Sequence, residues 1–150
     1  MDTTHEYDNG KLSLTGLAHA PQQVVWETLT SPSAIGKWWE HPAHFPNGMT
    51  AGSEGTFEWV GHGFFPIRIM RNDAPNHFDF LWGELHATHT DENASLVQFS
   101  LRDVDGNTEI SVSESGFERL DEEARKQTIE ENTQGWEQVL SQLAAMSELA

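Results

Sequence analysis

Cysteine is absent from this sequence, so it has neither a disulfide framework nor thiol chemistry, and a reducing compartment suits it. Basic side chains are scarce: eight Lys and Arg stand against 24 Asp and Glu, for a formal charge of −16. Binding DNA or RNA through phosphates needs cationic clusters, and the sequence has none; the same deficit disfavours anionic membrane surfaces. The acidity fits solubility or salt adaptation, with a basic partner surface as the alternative. No apolar run is long enough to cross a bilayer, and Met1 to Gly10 lacks the basic-then-apolar order of a signal peptide. A cytoplasmic protein is the expectation. A Gly-rich phosphate loop and a G-x-S-x-G elbow are also missing, which leaves nucleophilic catalysis without support. Tyrosine occurs once, whereas tryptophan occurs six times and phenylalanine eight, a balance that favours bulky apolar walls.

At 150 residues the chain has the length of a single domain, 1–150, with a core that can enclose a cavity; residues 1–10 are expected to be flexible. Lys11 to His19 alternates Leu12, Leu14 and then Leu17 with small polar residues, as a first strand does. Pro21 opens a helix carrying Val24, Val25 and Leu29. Ser31-Pro32-Ser33 separates it from a second short helix with Ile35, Trp38 and Trp39, ending before Pro42. His41 to Ser53 reads as a loop. Period-2 alternation then marks Thr56 to Val60, Phe64 to Arg71, His77 to Trp82, Leu96 to Leu101 and Thr108 to Glu114 as antiparallel strands with one buried face. Asp105-Gly106-Asn107 is a hairpin turn. From Asp121 to Met146, apolar residues recur at helical spacing behind an acidic first turn, predicting one long amphipathic helix. The fold class is therefore α+β: about six antiparallel strands, two short helices after the first, and a long C-terminal helix.

Three stretches in this order, "APQQVVWETLTSPSAIGKWW", "GSEGTFEW" and "SVSESGFERL" running into "EENTQGWEQVLSQLAAM", resemble the START-like (SRPBCC) helix-grip superfamily. Within it the chain resembles the branch named for the activator of Hsp90 ATPase homologue. The resemblance implies a curved sheet gripping the C-terminal helix, often around an apolar cavity, and a superfamily that includes lipid carriers, polyketide cyclases and co-chaperone domains. It constrains function weakly.

The candidate site is the space between sheet and helix. Phe57, Trp59, Phe78, Phe80, Trp82, Phe99 and Val112 fall on the apolar parity of their strands, as core or as pocket wall. Trp39 is the member of the Trp38-Trp39 pair assigned to the wall. Glu114 follows Ile110 and Val112 on the inward parity; its alternatives are the Ser115-Gly116 turn or a ligand. Asn132 and Trp136 lie in the apolar stripe of the long helix, where an unpaired amide would cost about 1–3 kcal/mol. Gly135, in the middle of that helix, suggests close approach by a neighbour. Glu84 and His86 continue the inward parity beyond Trp82. No metal is expected: His41-x-x-His44 and His86-x-x-His89 lack a third ligand, and Asp103-x-Asp105-Gly106-Asn107 lacks the calcium-loop pattern. No cofactor is implied.

Three readings follow. The first is non-catalytic binding of a small apolar or aromatic molecule. The second is a cyclase- or aromatase-like enzyme using Glu84, His86 or Glu114 for proton transfer; the balance lies against an enzyme. The third, prompted by the resemblance, is a co-chaperone-like module with an Hsp90-like partner.

Overall fold

Alternating apolar and polar residues build a sheet with one buried face, a pattern clearest in the strands that begin at Lys11, Ser95 and Asn107. The computed structural model describes residues 3–8, 10–90 and 94–150. The elements are β1 (Thr3–Asp8), β2 (Lys11–Ala18), α1 (Gln22–Thr30), α2 (Pro32–Trp38), β3 (Ala43–His44), β4 (Glu54–Trp59), β5 (Gly63–Asp73), β6 (His77–Trp82), β7 (Ser95–Val104), β8 (Asn107–Ser115) and α3 (Glu122–Leu149). The strands form one antiparallel sheet in the order β1-β2-β8-β7-β6-β5-β4-β3. This is the helix-grip fold, with eight strands where about six were expected.

The two additional strands are the edges. Thr3–Asp8 pairs along Lys11–Gly16 as a strand that the sequence pattern does not mark; Met1, Asp2 and Asn9 lie outside the described residues. Five of the six β1 residues are exposed, and a strand with no buried face leaves no hydrophobic alternation to read. β3 interrupts the expected loop from His41 to Ser53 with two residues paired to β4.

The inner parity runs through Leu12 and Leu14 on β2, Ile67 and Ile69 on β5, Phe78 and Phe80 on β6, Val97 and Phe99 on β7, and Ile110 and Val112 on β8, all buried. Leu17 is out of phase with Leu12 and Leu14 and is exposed; Ala18 takes the inner place. A register shift between Ile69 and Arg71 on β5 is a bulge, which bends the strand and helps the sheet curl. At the β7–β8 hairpin Asp105 (φ 54°) and Gly106 (φ 85°) both have left-handed backbone, as a two-residue type I′ turn requires.

α3 has 28 residues, about 42 Å at 1.5 Å per residue, enough to cross the whole sheet. Asp121 caps it, accepting from the Ala124 N–H at 2.8 Å, and Glu122 and Glu123 occupy the first turn where the helix dipole favours negative charge. Trp136, Val139, Leu140, Leu143 and Ala144 form its buried stripe. α1 packs beside it, and α2 touches it near the end of β6.

The Trp38-Trp39 pair departs from the sequence expectation. α2 stops at Trp38, and Trp39 is extended (φ −118°, ψ 146°). The change of backbone lets neighbouring indoles stack, with ring centroids 5.5 Å apart and planes 19° from parallel. Two residues kept on one helix would project about 100° apart.

Candidate functional site

α3 packs against β2 and α1, and space remains where α2, the end of β6 and one flank of α3 meet. There the structure forms a cavity of about 730 Å³, open to solvent on one side. α2 and the turn after it contribute Lys37, Trp38, Trp39, Glu40 and His41. The end of β6 contributes Trp82, Gly83 and Glu84. Ser95 and Glu114 come from β7 and β8, and Asn132, Gly135, Trp136, Val139 and Met146 from α3. The lining continues along α3 from Glu131 to Leu149, roughly 27 Å of helix at 1.5 Å per residue.

Five of the sequence-derived candidates line this space: Trp39, Trp82, Glu114, Asn132 and Trp136. Phe57, Phe78, Phe80, Phe99 and Val112 do not. They are almost fully buried and act as core: Phe57 lies against Trp39 and Phe45, Phe78 against Trp26 of α1, and Phe99 against Trp136. Trp59 is corrected more sharply. It keeps the parity of Phe57, but it is the last residue of β4, beside the turn into β5, is 41% exposed, and lies against His62 and Phe65. Parity sets the face of a strand; depth depends on what covers it.

The polar centre of the cavity is Glu114. Its Oε1 accepts from the Trp136 indole N–H at 3.0 Å and from the Asn132 amide at 2.9 Å, and its Oε2 accepts from the Ser95 hydroxyl at 2.7 Å. Three donors match the acceptor-only capacity of a carboxylate. Asn132 and Glu114, each isolated in its own apolar stripe, thus satisfy one another across the gap between helix and sheet. The register explains the meeting. Trp82 pairs with Ser95 on β7, and Val97, two residues on, pairs with Glu114, so Trp82, Ser95 and Glu114 share the inner face. Ser95 was legible as the position two before Val97 on the buried parity.

Trp39 is the hub of the aromatic wall. Its ring lies 5.1 Å from Phe57, 5.3 Å from Trp82, 5.5 Å from Trp136 and 5.8 Å from His41, all at tilted or perpendicular angles. Such edge-to-face contacts add to the burial of each ring. Trp38, also in the lining, is fixed by its indole N–H donating to the Thr28 carbonyl at 2.8 Å.

His41 sits in an irregular segment, where no periodicity marks a residue as buried. Only 8% of it is exposed, between Trp39, Phe65 and Trp82. Burial pushes its imidazole below the ordinary histidine value, against smaller raising effects from the Glu58 backbone and Glu40. With Nδ1–H donating to the Glu58 carbonyl at 3.2 Å, the neutral ring keeps Nε2 as an acceptor. His44 instead reaches the Glu58 carboxylate at 2.9 Å. Among the described residues no group of three metal-capable side chains converges.

The extension of the inward parity past Trp82 is corrected. β6 ends at Trp82, and Gly83 donates its N–H to the Pro66 carbonyl at 2.8 Å, so close that a Cβ at Gly83 would collide with Pro66. The chain turns outward there. Glu84 remains on the cavity rim but is exposed, and His86 is exposed with left-handed backbone (φ 71°), away from the cavity. Gly135 is corrected as well: nothing lies within 4 Å of where its Cβ would stand. The glycine faces open cavity space.

Residues 19–148 match the family described as "Activator of Hsp90 ATPase homolog 1-like protein". Solved structures share the fold at low identity. DynU16, a protein in the dynemicin biosynthetic locus, has a TM-score of 0.76 at 20% identity over 94% of this chain. This chain spans about half of it, 48% of that chain. A protein from Arthrobacter aurescens has a TM-score of 0.75 at 18% identity, covering 98% of this chain and 92% of its own. MLL2253 from Mesorhizobium loti has a TM-score of 0.77 at 17% identity, covering 93% and 98%. No curated protein matches the sequence. No described helix is long and apolar enough to cross a membrane.

Proposed function

The chain belongs to the Activator of Hsp90 ATPase homolog 1-like family, and from that premise we propose that it binds a small apolar or aromatic molecule in the cavity between α2, β6 and α3. The observation that carries this reading is a space of about 730 Å³, walled by Trp39, Trp82 and Trp136, with the hydrogen-bonded Glu114 at its base. Ligand sites are commonly concave and mostly apolar, with a few placed polar groups that fix orientation. Gly135 supports it further: alanine would suit the helix better by about 1 kcal/mol, yet the position holds no side chain and leaves the cavity wider.

Extraction of the purified protein followed by mass spectrometry, with a thermal-shift screen of lipids and aromatic compounds, tests the proposal. A ligand present at 100 times its Kd stabilises by about 2.7 kcal/mol, a rise of roughly 5–10 °C in Tm for a chain of this size. A Gly135→Leu variant, which fills the space, is expected to lose that rise. No shift with any compound, together with an empty extract, refutes the proposal.

A second reading, a cyclase-like enzyme, is favoured by one observation. A carboxylate, Glu114, and a neutral imidazole, His41, line the same cavity, and groups of that kind move protons. Recovery of a chemically altered compound after incubation, absent with His41→Asn or Glu114→Gln, distinguishes it from simple binding.

A further inference from the structure

The charges around the cavity are uneven. Glu40, Glu84, Glu114 and Glu131 line it, against Lys37 and Arg119 as its basic residues. Glu114 is the informative member, because it is 93% withdrawn from solvent (7% exposed) and the partners that hold it are an indole, an amide and a hydroxyl. Neutral donors solvate a carboxylate without compensating its charge, and a buried carboxylate gains more from a cation than a solvated one does. Oε2 takes one hydrogen bond where Oε1 takes two, so it retains acceptor capacity.

The walls lead to the same chemistry. Indole faces carry the negative lobe of the ring quadrupole and attract cations more strongly than other aromatic side chains. Trp39, Trp82 and Trp136 all line the cavity and touch one another, with centroids 5.3 to 6.3 Å apart. His41, held neutral by burial, adds no opposing charge to this wall. Beyond the site, a formal charge of −16 sets a negative potential that draws cations toward a low-dielectric cleft.

We infer that the ligand is an organic cation: a protonated amine on an apolar or aromatic body, with the ammonium directed to Glu114 and the body against the three indoles. This rests on the proposed cavity being the binding site. It goes further by naming the charge of the ligand, which the apolar character of the walls leaves open.

The test is isothermal titration calorimetry of the intact chain near pH 7 with three probes that share one aromatic body: 2-(1-naphthyl)ethylamine, 2-(1-naphthyl)ethanol and 1-naphthylacetate. The amine is expected to bind about tenfold tighter than the alcohol, and the carboxylate more weakly than either. Salt is expected to weaken the amine and leave the alcohol unchanged. Glu114→Gln should remove most of the amine's advantage over the alcohol. Glu54→Gln, the same change of charge at the exposed start of β4, should retain the advantage. Equal or tighter binding of the alcohol or the carboxylate overturns the inference and leaves the cavity reading standing. Equal losses from the two glutamine variants also overturn it, since the preference would then come from net charge. If no probe binds, the inference falls, and the cavity reading is then decided by the extraction and thermal-shift screen. The comparison of probes and salt on the unmodified chain decides the matter even if Glu114→Gln folds poorly.

Discussion

Replacing Glu114 by alanine deprives three donors of their acceptor at once. Two of them, the Trp136 indole N–H and the Ser95 hydroxyl, belong to buried residues, and each buried donor left unpaired costs about 1–3 kcal/mol. The Ser95 hydroxyl can rotate toward another acceptor, Asn132 is half-buried and within reach of water from the cavity, and removing a buried carboxylate returns its desolvation cost. The net loss expected for Glu114→Ala is therefore about 2–4 kcal/mol, from the lower part of the range for two orphaned donors. Glu114→Gln keeps one carbonyl oxygen for Trp136 and Asn132 and places an amide opposite Ser95, whose hydroxyl can then accept. Charge-assisted bonds become neutral ones, so about 1 kcal/mol is expected. Urea unfolding followed by tryptophan fluorescence, at constant m-value, gives both differences. In a thermal scan the alanine variant should melt roughly 5–15 °C lower. An alanine variant within about 0.5 kcal/mol of the parent, the range of an ordinary surface substitution, would show that water satisfies these donors and that Glu114 does not organise the junction. A glutamine variant as damaging as alanine would show that charge, rather than acceptor geometry, is what the site needs.

Trp39→Ala removes the hub of five ring contacts and should cost about 3–5 kcal/mol, read as a lower urea midpoint. Gly135→Ala should raise stability by about 1 kcal/mol, because its methyl meets nothing and the helix gains propensity; a loss would mean that the apparent space is occupied. His41 binds its proton at a lower pH in the folded chain than in the unfolded one. Between those two values the unfolded state carries more protons, so stability falls as pH drops from about 6.5 toward the folded value and is unpenalised above it. Stability measured from pH 7.5 to 5 should therefore decline more steeply in the parent than in His41→Asn, whose amide can still donate to the Glu58 carbonyl; parallel slopes would refute a depressed imidazole.

The sequence carried the central strands clearly because one face of each is covered, and burial writes itself into alternation, as in Val97-Phe99-Leu101 and Ile110-Val112. Where no face is covered, as in β1, the same backbone leaves no pattern. Trp59 shows the complementary failure, since alternation continued to the end of β4, where the face is no longer covered. For the site, Glu114 and Asn132 were identifiable as polar residues in apolar stripes, but their pairing required the β7–β8 register and the position of α3, which local spacing does not encode. His41 was out of reach for a different reason: a burial completed by Phe65 and Trp82 from distant strands has no local signature. The end of α2 at Trp38 was hidden as well, because helical spacing places Trp38 and Trp39 on one broad stripe whether or not the second residue is helical.

The indoles of the cavity have an optical consequence. Trp38, Trp39, Trp82 and Trp136 lie 5.3 to 6.3 Å from a neighbouring indole, close enough for their electronic transitions to couple and for excitation to pass among them. Their far-ultraviolet circular dichroism should carry an exciton couplet, and that couplet should weaken when Trp39 is removed and only the Trp82–Trp136 pair remains. Trp59, exposed at 41% and next to no other indole, should emit at longer wavelength as an internal reference. The chain thus carries its own two-colour reporter, with one signal from the wall a guest would touch and one from a ring it would not.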